Sequence, residues 1–184
     1  MPFSFLTAGS FRPGDRIVIK DLATQLNVST TPLRETLARL AGRGVLEERR
    51  LEGYYLARLD ARDVADFYSL HCTCVLRGLR SAQSLIPCTI DANSAWPLFA
   101  SIAERSGDTA VIESRALLDD RLRIVRWTEQ RLLQGTEAEL LHLCTLVAEL
   151  RRQEAAVAIR RFHDRRRAKA AEIATTLQRR QTSQ

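Results

Sequence analysis

Apolar residues recur along most of the chain at three- and four-residue spacing, the pattern of helices buried on one face. Between residues 12 and 58 the pattern is compact. Arg12-Pro13-Gly14-Asp15 predicts a turn. Ile17 to Leu26 predicts a short helix with Leu22, Ala23 and Leu26 on its apolar face, ended by Asn27, a residue that tolerates the left-handed conformation. Val28-Ser29-Thr30-Thr31-Pro32 then supplies a hydroxyl N-cap and a proline for a first turn. Leu33, Leu37 and Leu40 follow at i, i+4, i+7, with Arg34, Glu35 and Ala38 turned elsewhere. Gly44 closes this helix, and Val45 to Arg50 and Tyr54 to Arg58 predict two strands around Leu51-Glu52-Gly53. Two short helices, a tight turn and a hairpin make a winged helix-turn-helix.

Beyond residue 59 the helical period dominates. Asp60 to Asp63 opens a helix that ends before Pro87, with Phe67, Leu70, Cys74, Leu76 and Leu79 on its apolar side. Residues 91–105, 109–133, 136–150 and 153–178 predict four more, one lined by Leu118, Leu122, Val125 and Leu132 and another by Leu140, Leu143, Val147 and Leu150. The expected fold is mainly α, with a winged helix-turn-helix over residues 1–59 and an all-α bundle of about five helices over 60–184.

Composition agrees. The 184 residues are 45% apolar and 27% charged, with 8 glycines and 6% aromatics, which excludes global disorder and disfavours sandwiches and barrels. No apolar run approaches the roughly 20 residues that cross a bilayer, and Met1 to Arg12 lacks a basic segment followed by an apolar one, so a cytoplasmic location and no membrane partner are expected. The net charge of +6 is uneven: +2 over residues 1–60, −3 over 61–150 and +7 over 151–184. Any nucleic-acid contact is therefore expected near the start or in the tail, where Arg160-Arg161 and Arg165-Arg166-Arg167 read either as a DNA clamp or as a solvated helix face. Lys20 and Lys169 are the only lysines, so the basic excess is arginine, whose planar fork suits phosphates and guanine edges. Cys72, Cys74, Cys88 and Cys144 read as free thiols. Cys72 and Cys74, with His71 beside them, point about 200° apart on a helix and cannot share a metal.

The run Arg12-Pro13-Gly14-Asp15-Arg16-Ile17, Asp21-Leu22-Ala23, Val28-Ser29-Thr30-Thr31-Pro32-Leu33-Arg34-Glu35-Thr36-Leu37, Arg39-Leu40 and Gly44-Val45-Leu46 resembles the GntR family of bacterial transcriptional regulators in order and spacing. Three features depart from that family. Thr30 stands where an arginine is usual, Glu52-Gly53 stands in a wing that often reads Arg-Gly, and Met1 to Ala8 leave one or two turns for a helix that is normally longer, unless the true start lies upstream. The helical part resembles the FadR-type ligand-binding domain through Ser106-Gly107-Asp108 and Glu154-Ala155-Ala156…His163. Many relatives there hold a divalent metal with an Asp-x-x-x-His pair and two later histidines. Here the pair falls on Ala95 and Phe99, and only His142 and His163 remain for the later positions. No metal and no cofactor are expected.

What the resemblance implies is a DNA-binding regulator, a repressor that works as a homodimer on a palindromic double-stranded DNA operator and is modulated by a small-molecule effector such as an organic acid. Thr31 and Arg34 belong at the front of the recognition helix, where Arg34 suits guanine O6 and N7. Thr30 and Thr31 contact bases or phosphates, Lys20 and Ser29 the backbone, and Gly53 lets the wing approach, with Arg49 and Arg50 assisting at phosphates. Arg121, His142 and His163 are the candidate effector contacts, with ordinary surface or packed histidines as the competing reading of His142 and His163. Arg123 and Arg126 also lie within reach of a carboxylate effector, and a solvated face is the competing role for at least two of these three arginines. The alternatives are an enzyme, for which no nucleophile, base and orienting group stand together, and an effector- or protein-interaction module with weakened DNA binding.

Overall fold

The computed structural model describes residues 11–82 and 94–179, without the side chains of Trp127 and Gln130. The helix expected over Met1 to Ala8, Cys88 and the region around Pro87 lie outside the described residues.

The first region is built as β1 (Arg16–Ile17), α1 (Ile19–Leu26), α2 (Thr30–Gly42), β2 (Leu46–Arg49) and β3 (Gly53–Leu56). The three strands form an antiparallel sheet in the order β1-β3-β2, with Ile17 opposite Tyr54 and Arg49 opposite Gly53. Ile17, expected in the first helix, is a strand residue instead. Its β-branched side chain is buried in the sheet, and the helix starts two residues later. Asn27 does adopt the left-handed conformation, at φ 53°. Leu33, Leu37 and Leu40 are buried along α2 as their spacing predicts. Its N-cap, Ser29, is extended, but its hydroxyl makes no capping bond. Gly44 sits at φ +70°, a conformation that calls for glycine, and the mobile end of the Arg121 side chain packs over it.

The second region is α3 (Ala61–Ser81), α4 (Trp96–Glu104), α5 (Thr109–Leu122), α6 (Arg126–Leu132), α7 (Thr136–Ala148), α8 (Arg152–Ala168) and α9 (Ala170–Arg179). Two of the long predicted helices are therefore broken, after Leu122 and at Lys169, where neither glycine nor proline marks the chain. At the first break Arg126 donates to the Asp119 carbonyl, 3.0 Å, a contact that turns the chain back on itself. Asp60 and Asp63 form a reciprocal capping box at the start of α3. Asp108 accepts from Val111 N–H at the start of α5, so Ser106-Gly107-Asp108 has a local capping role.

Helix α3 is the centre of the bundle, packed against α4, α5, α8 and α9. Its inward face is rotated from the expected one. Val64, Tyr68, His71, Cys74, Val75 and Leu79 are buried, while Leu70 is exposed. The cause is His71, a polar residue that points into the core. One apolar cluster of buried residues runs from Ile17 in the first region to Leu177 in the last helix.

Candidate nucleic-acid interface and the buried polar centre

The first region presents its predicted residues to solvent. Lys20, Ser29, Thr30, Thr31 and Arg34 are all exposed, because α2 buries the leucine face and leaves the opposite one bare. A depression of about 600 Å³ between α1, α2 and the hairpin is lined by Lys20, Arg34, Arg49, Arg50 and Gly53, together with Arg16, Glu48 and Glu52. A shallower one joins Lys20 to Asn27, Ser29 and Thr30. Thr31 lies in neither, on the outer face of the first turn of α2. Arg34, Arg50 and Lys20 have no side-chain hydrogen bond or ion pair among the described residues, so their charge is available to a ligand. Arg49 differs: it pairs with Glu47 at 3.3 Å and Glu52 at 4.0 Å, and its guanidinium lies over the Tyr55 ring at 4.1 Å. Gly53, at φ +103°, and Leu51, fully exposed at the tip, shape the wing. Glu52 is partly neutralised within the hairpin, accepting from Tyr55 Oη at 3.3 Å.

The three candidate effector residues do not come together. Arg121 lies at the junction of the two regions, where Nε donates to the Arg43 carbonyl, 3.0 Å, and its guanidinium sits 5.3 Å from the centre of the Phe67 ring. His142 is exposed on α7, in an outer depression with Glu139, Gln153, Glu154 and Arg161. His163 is fully buried. The helical period separates them: His142 and His163 lie on different helices, with their side chains on different faces.

His163 instead meets a partner that spacing cannot reveal. Its Nδ1–H donates to the Ile159 carbonyl, 2.7 Å, so its Nε2 accepts from His71 Nδ1–H at 2.8 Å. His71 Nε2 then faces Asp119 Oδ1 at 2.9 Å, a bonding contact when a proton lies between them. Burial pushes the His71 pKa down, with the Asp119 carboxylate acting against it, and burial pushes His163 down to about 3. Phe99, Trp96 and Phe162 pack around the two rings. These residues do not fit a metal. The two histidines bond to each other, Phe99 fills the space beside them, and no group of three ligating side chains stands together among the described residues.

Asp119 also pairs with Arg115 and with Arg126, 3.8 Å. Its neighbours in sequence face the other way: Asp120 pairs with Arg43 at 2.5 Å, and Arg121 holds the Arg43 carbonyl. Three consecutive residues of α5 thus touch the buried polar centre on one side and the end of α2 on the other.

A second charged group lies next to it. Arg166 is buried and donates to Glu129 and Glu139, each at 3.0 Å, and to the Phe162 carbonyl. Arg165 donates to the Gln134 carbonyl, and Arg167 pairs with Asp164. Much of the basic tail is therefore engaged within the fold. Sequence reading missed His71, Asp119, Glu129 and Arg166 as a constellation. The only available signal was polar residues at positions where the helical period puts an apolar one.

Residues 5–56 match the family model described as bacterial regulatory proteins, gntR family. The Nta operon transcriptional regulator of Aminobacter aminovorans is 26% identical over 167 residues, covering 79% of this chain and 80% of that one. The uncharacterised HTH-type transcriptional regulator YdhC of Bacillus subtilis (strain 168) is 36% identical over 62 residues, 34% of this chain and 28% of its own. Among solved structures, Escherichia coli McbR/YncC superposes with a TM-score of 0.67 at 17% identity, covering 91% of this chain and 92% of that one. A GntR transcriptional regulator from Rhodococcus sp. RHA1 does so with a TM-score of 0.69 at 16% identity, covering 90% and 91%. The winged helix-turn-helix joined to a helical bundle is the fold that these solved structures share, and its first segment is similar to the DNA-binding part of such regulators. The chain's N-terminal helix-turn-helix segment is similar to that of the GntR family. The relatives it matches are regulators rather than enzymes.

Proposed function

We propose that the chain is a cytoplasmic repressor, homodimeric on a palindromic operator, with residues 1–59 as its DNA reader and residues 60–184 as its effector-sensing and dimerising part. The observation that carries this reading is the bare face of α2: Thr31 and Arg34 project from its start beside a groove with Lys20 and Arg50, and the Arg34 charge has no ion-pair partner among the described residues. In the major groove Arg34 bonds guanine O6 and N7, Thr30 and Thr31 meet bases or phosphates, and Ser29, with its unused hydroxyl, and Lys20 hold the backbone. Gly53 brings the wing close, with Arg50 at a phosphate. A single winged helix covers little DNA, which favours two readers on two half-sites.

The effector, an organic acid, acts by binding two arrangements of the readers unequally. The route consistent with the contacts runs through Asp119, Asp120 and Arg121 to Arg43 at the end of α2. The alternative, an interaction module with weakened DNA binding, has one observation in its favour, the capture of Arg49 by Glu47 and Glu52. Selection of random duplexes by the purified full chain separates the two. The repressor enriches a palindrome and binds it with an affinity that falls steeply with salt, whereas the interaction module enriches nothing.

A further inference from the structure

A cavity of about 450 Å³ opens between the start of α4, helix α6, the start of α7 and helix α8. It contains none of the residues that sequence reading assigned to an effector except Arg126. Its charged lining is Arg126, Arg166, Glu129 and Glu137, with Ser94 and Thr136 as further polar groups, and its apolar lining includes Trp96, Leu140 and Phe162. The volume falls in the range of small-molecule sites.

Two of the lining groups are incompletely matched. Arg126 is largely buried and stacked over Trp96 at 3.7 Å, and its Nε has no hydrogen-bond partner among the described residues. Its nearest carboxylate, Asp119, is shared with Arg115 and His71, so two guanidinium groups face one carboxylate. This corner has an excess of positive charge, and burial pushes the Arg126 pKa down to about 9. Glu129 is 5% exposed; Arg166 bonds its Oε2, and its Oε1 is buried without a hydrogen-bond partner. Desolvation pushes its pKa up to about 7 even with Arg166 beside it. A buried acceptor left unpaired is destabilising, so a donor that reaches it is favoured.

Arg126 and Glu129 are three residues apart on α6, neighbours on one face of the helix. One side of the cavity wants an anion, and a position one turn away wants a hydrogen-bond donor. A simple carboxylic acid satisfies the first and leaves its own negative charge near Glu129. An amine satisfies the second and meets Arg126.

We propose that this cavity binds a small zwitterion, an α-amino acid with an apolar side chain, its carboxylate on Arg126, its ammonium on Glu129 Oε1 and its side chain against Leu140 and Phe162. The proposal rests on the reading of the helical region as an effector sensor and names the class of molecule that it senses.

The test is calorimetric titration of the full-length protein with three matched compounds: L-leucine, 4-methylpentanoate, which lacks the ammonium, and 3-methylbutylamine, which lacks the carboxylate. L-phenylalanine, 3-phenylpropanoate and 2-phenylethylamine repeat the series. At least one amino acid is expected to bind tenfold or more tightly than both of its truncated forms. Glu129→Gln is expected to remove that advantage over the acid while leaving acid binding intact, and Arg126→Gln to weaken amino acid and acid alike. Because the compound series uses the unmodified protein, it stands even if a variant fails to fold. The proposal is overturned if the acid binds as tightly as the amino acid, if neither amino acid binds, or if folded Glu129→Gln binds the amino acid unchanged. Operator occupancy measured with the same compounds keeps the two readings apart. An acid that binds best and shifts occupancy ends the zwitterion assignment but leaves the effector reading standing. An amino acid that binds without shifting occupancy ends the effector reading but leaves the site standing.

Discussion

Arginine does opposite work in the two regions of this molecule. In the reader, Arg34 and Arg50 are exposed and unpaired, fixed by a backbone whose leucine face is buried. In the bundle, Arg115 and Arg166 are buried and matched to Asp119, Glu129 and Glu139. An exposed, unpaired guanidinium contributes little to folding and is free for a phosphate or a base. A buried one is held by its partners, and removing it leaves carboxylates stranded. Pairing, not residue type, separates Arg34 and Arg50 from Arg115 and Arg166.

The largest effect expected from breaking this contrast is on stability. Arg166→Ala leaves Glu129 and Glu139 without their common partner and is expected to cost about 3–5 kcal/mol in urea unfolding at pH 8. The loss should be smaller below pH 6, where Glu129 carries a proton. Arg34→Ala should leave stability within about 0.5 kcal/mol.

The pH dependence of stability sharpens the same point. Glu129 has a folded pKa of about 7, above its ordinary value of 4.5, so between those values the folded chain keeps a proton that the unfolded chain has released. Stability from this group is therefore present at low pH and lost as the pH rises through about 7. His163, at about 3, works the other way: its contribution is present above its ordinary value of 6.5 and is lost as the pH falls toward 3. Denaturant titrations from pH 5 to 8 should show Glu129→Gln gaining stability relative to the native chain as the pH rises. A parallel pair of curves would contradict this.

The smallest effect contrasts two adjacent arginines of the wing. Arg50→Ala should lower the salt slope of duplex binding by about one, as loss of one phosphate contact does. Arg49→Ala should leave the slope unchanged, since Glu47, Glu52 and Tyr55 already hold that guanidinium.

The two regions also differ in how far they could be read from the sequence. In the reader, each element carries local punctuation: Pro13-Gly14, Asn27, Ser29 with Pro32, Gly44, Gly53. Helix α2 and the wing therefore lie within a residue or two of their expected bounds, and only the two-residue β1 went unseen, because pairing of Ile17 with Tyr54 is non-local. In the bundle, the apolar period gives the helices but not their breaks. The turn after Leu122 depends on Arg126 reaching back to Asp119, and the break at Lys169 has no helix-breaking residue to mark it. The polar centre was illegible for the same reason. His71 and His163 are 92 residues apart and meet only because α8 packs on α3.

The central claim is that the start of α2 reads DNA through Arg34. Parallel selection of random duplexes with the native chain and Arg34→Ala, followed by affinity measurement on the enriched site, tests it most directly. The account predicts a motif that loses preference at one guanine per half-site and an affinity lower by about 1–3 kcal/mol. An unchanged motif bound with unchanged affinity would contradict it.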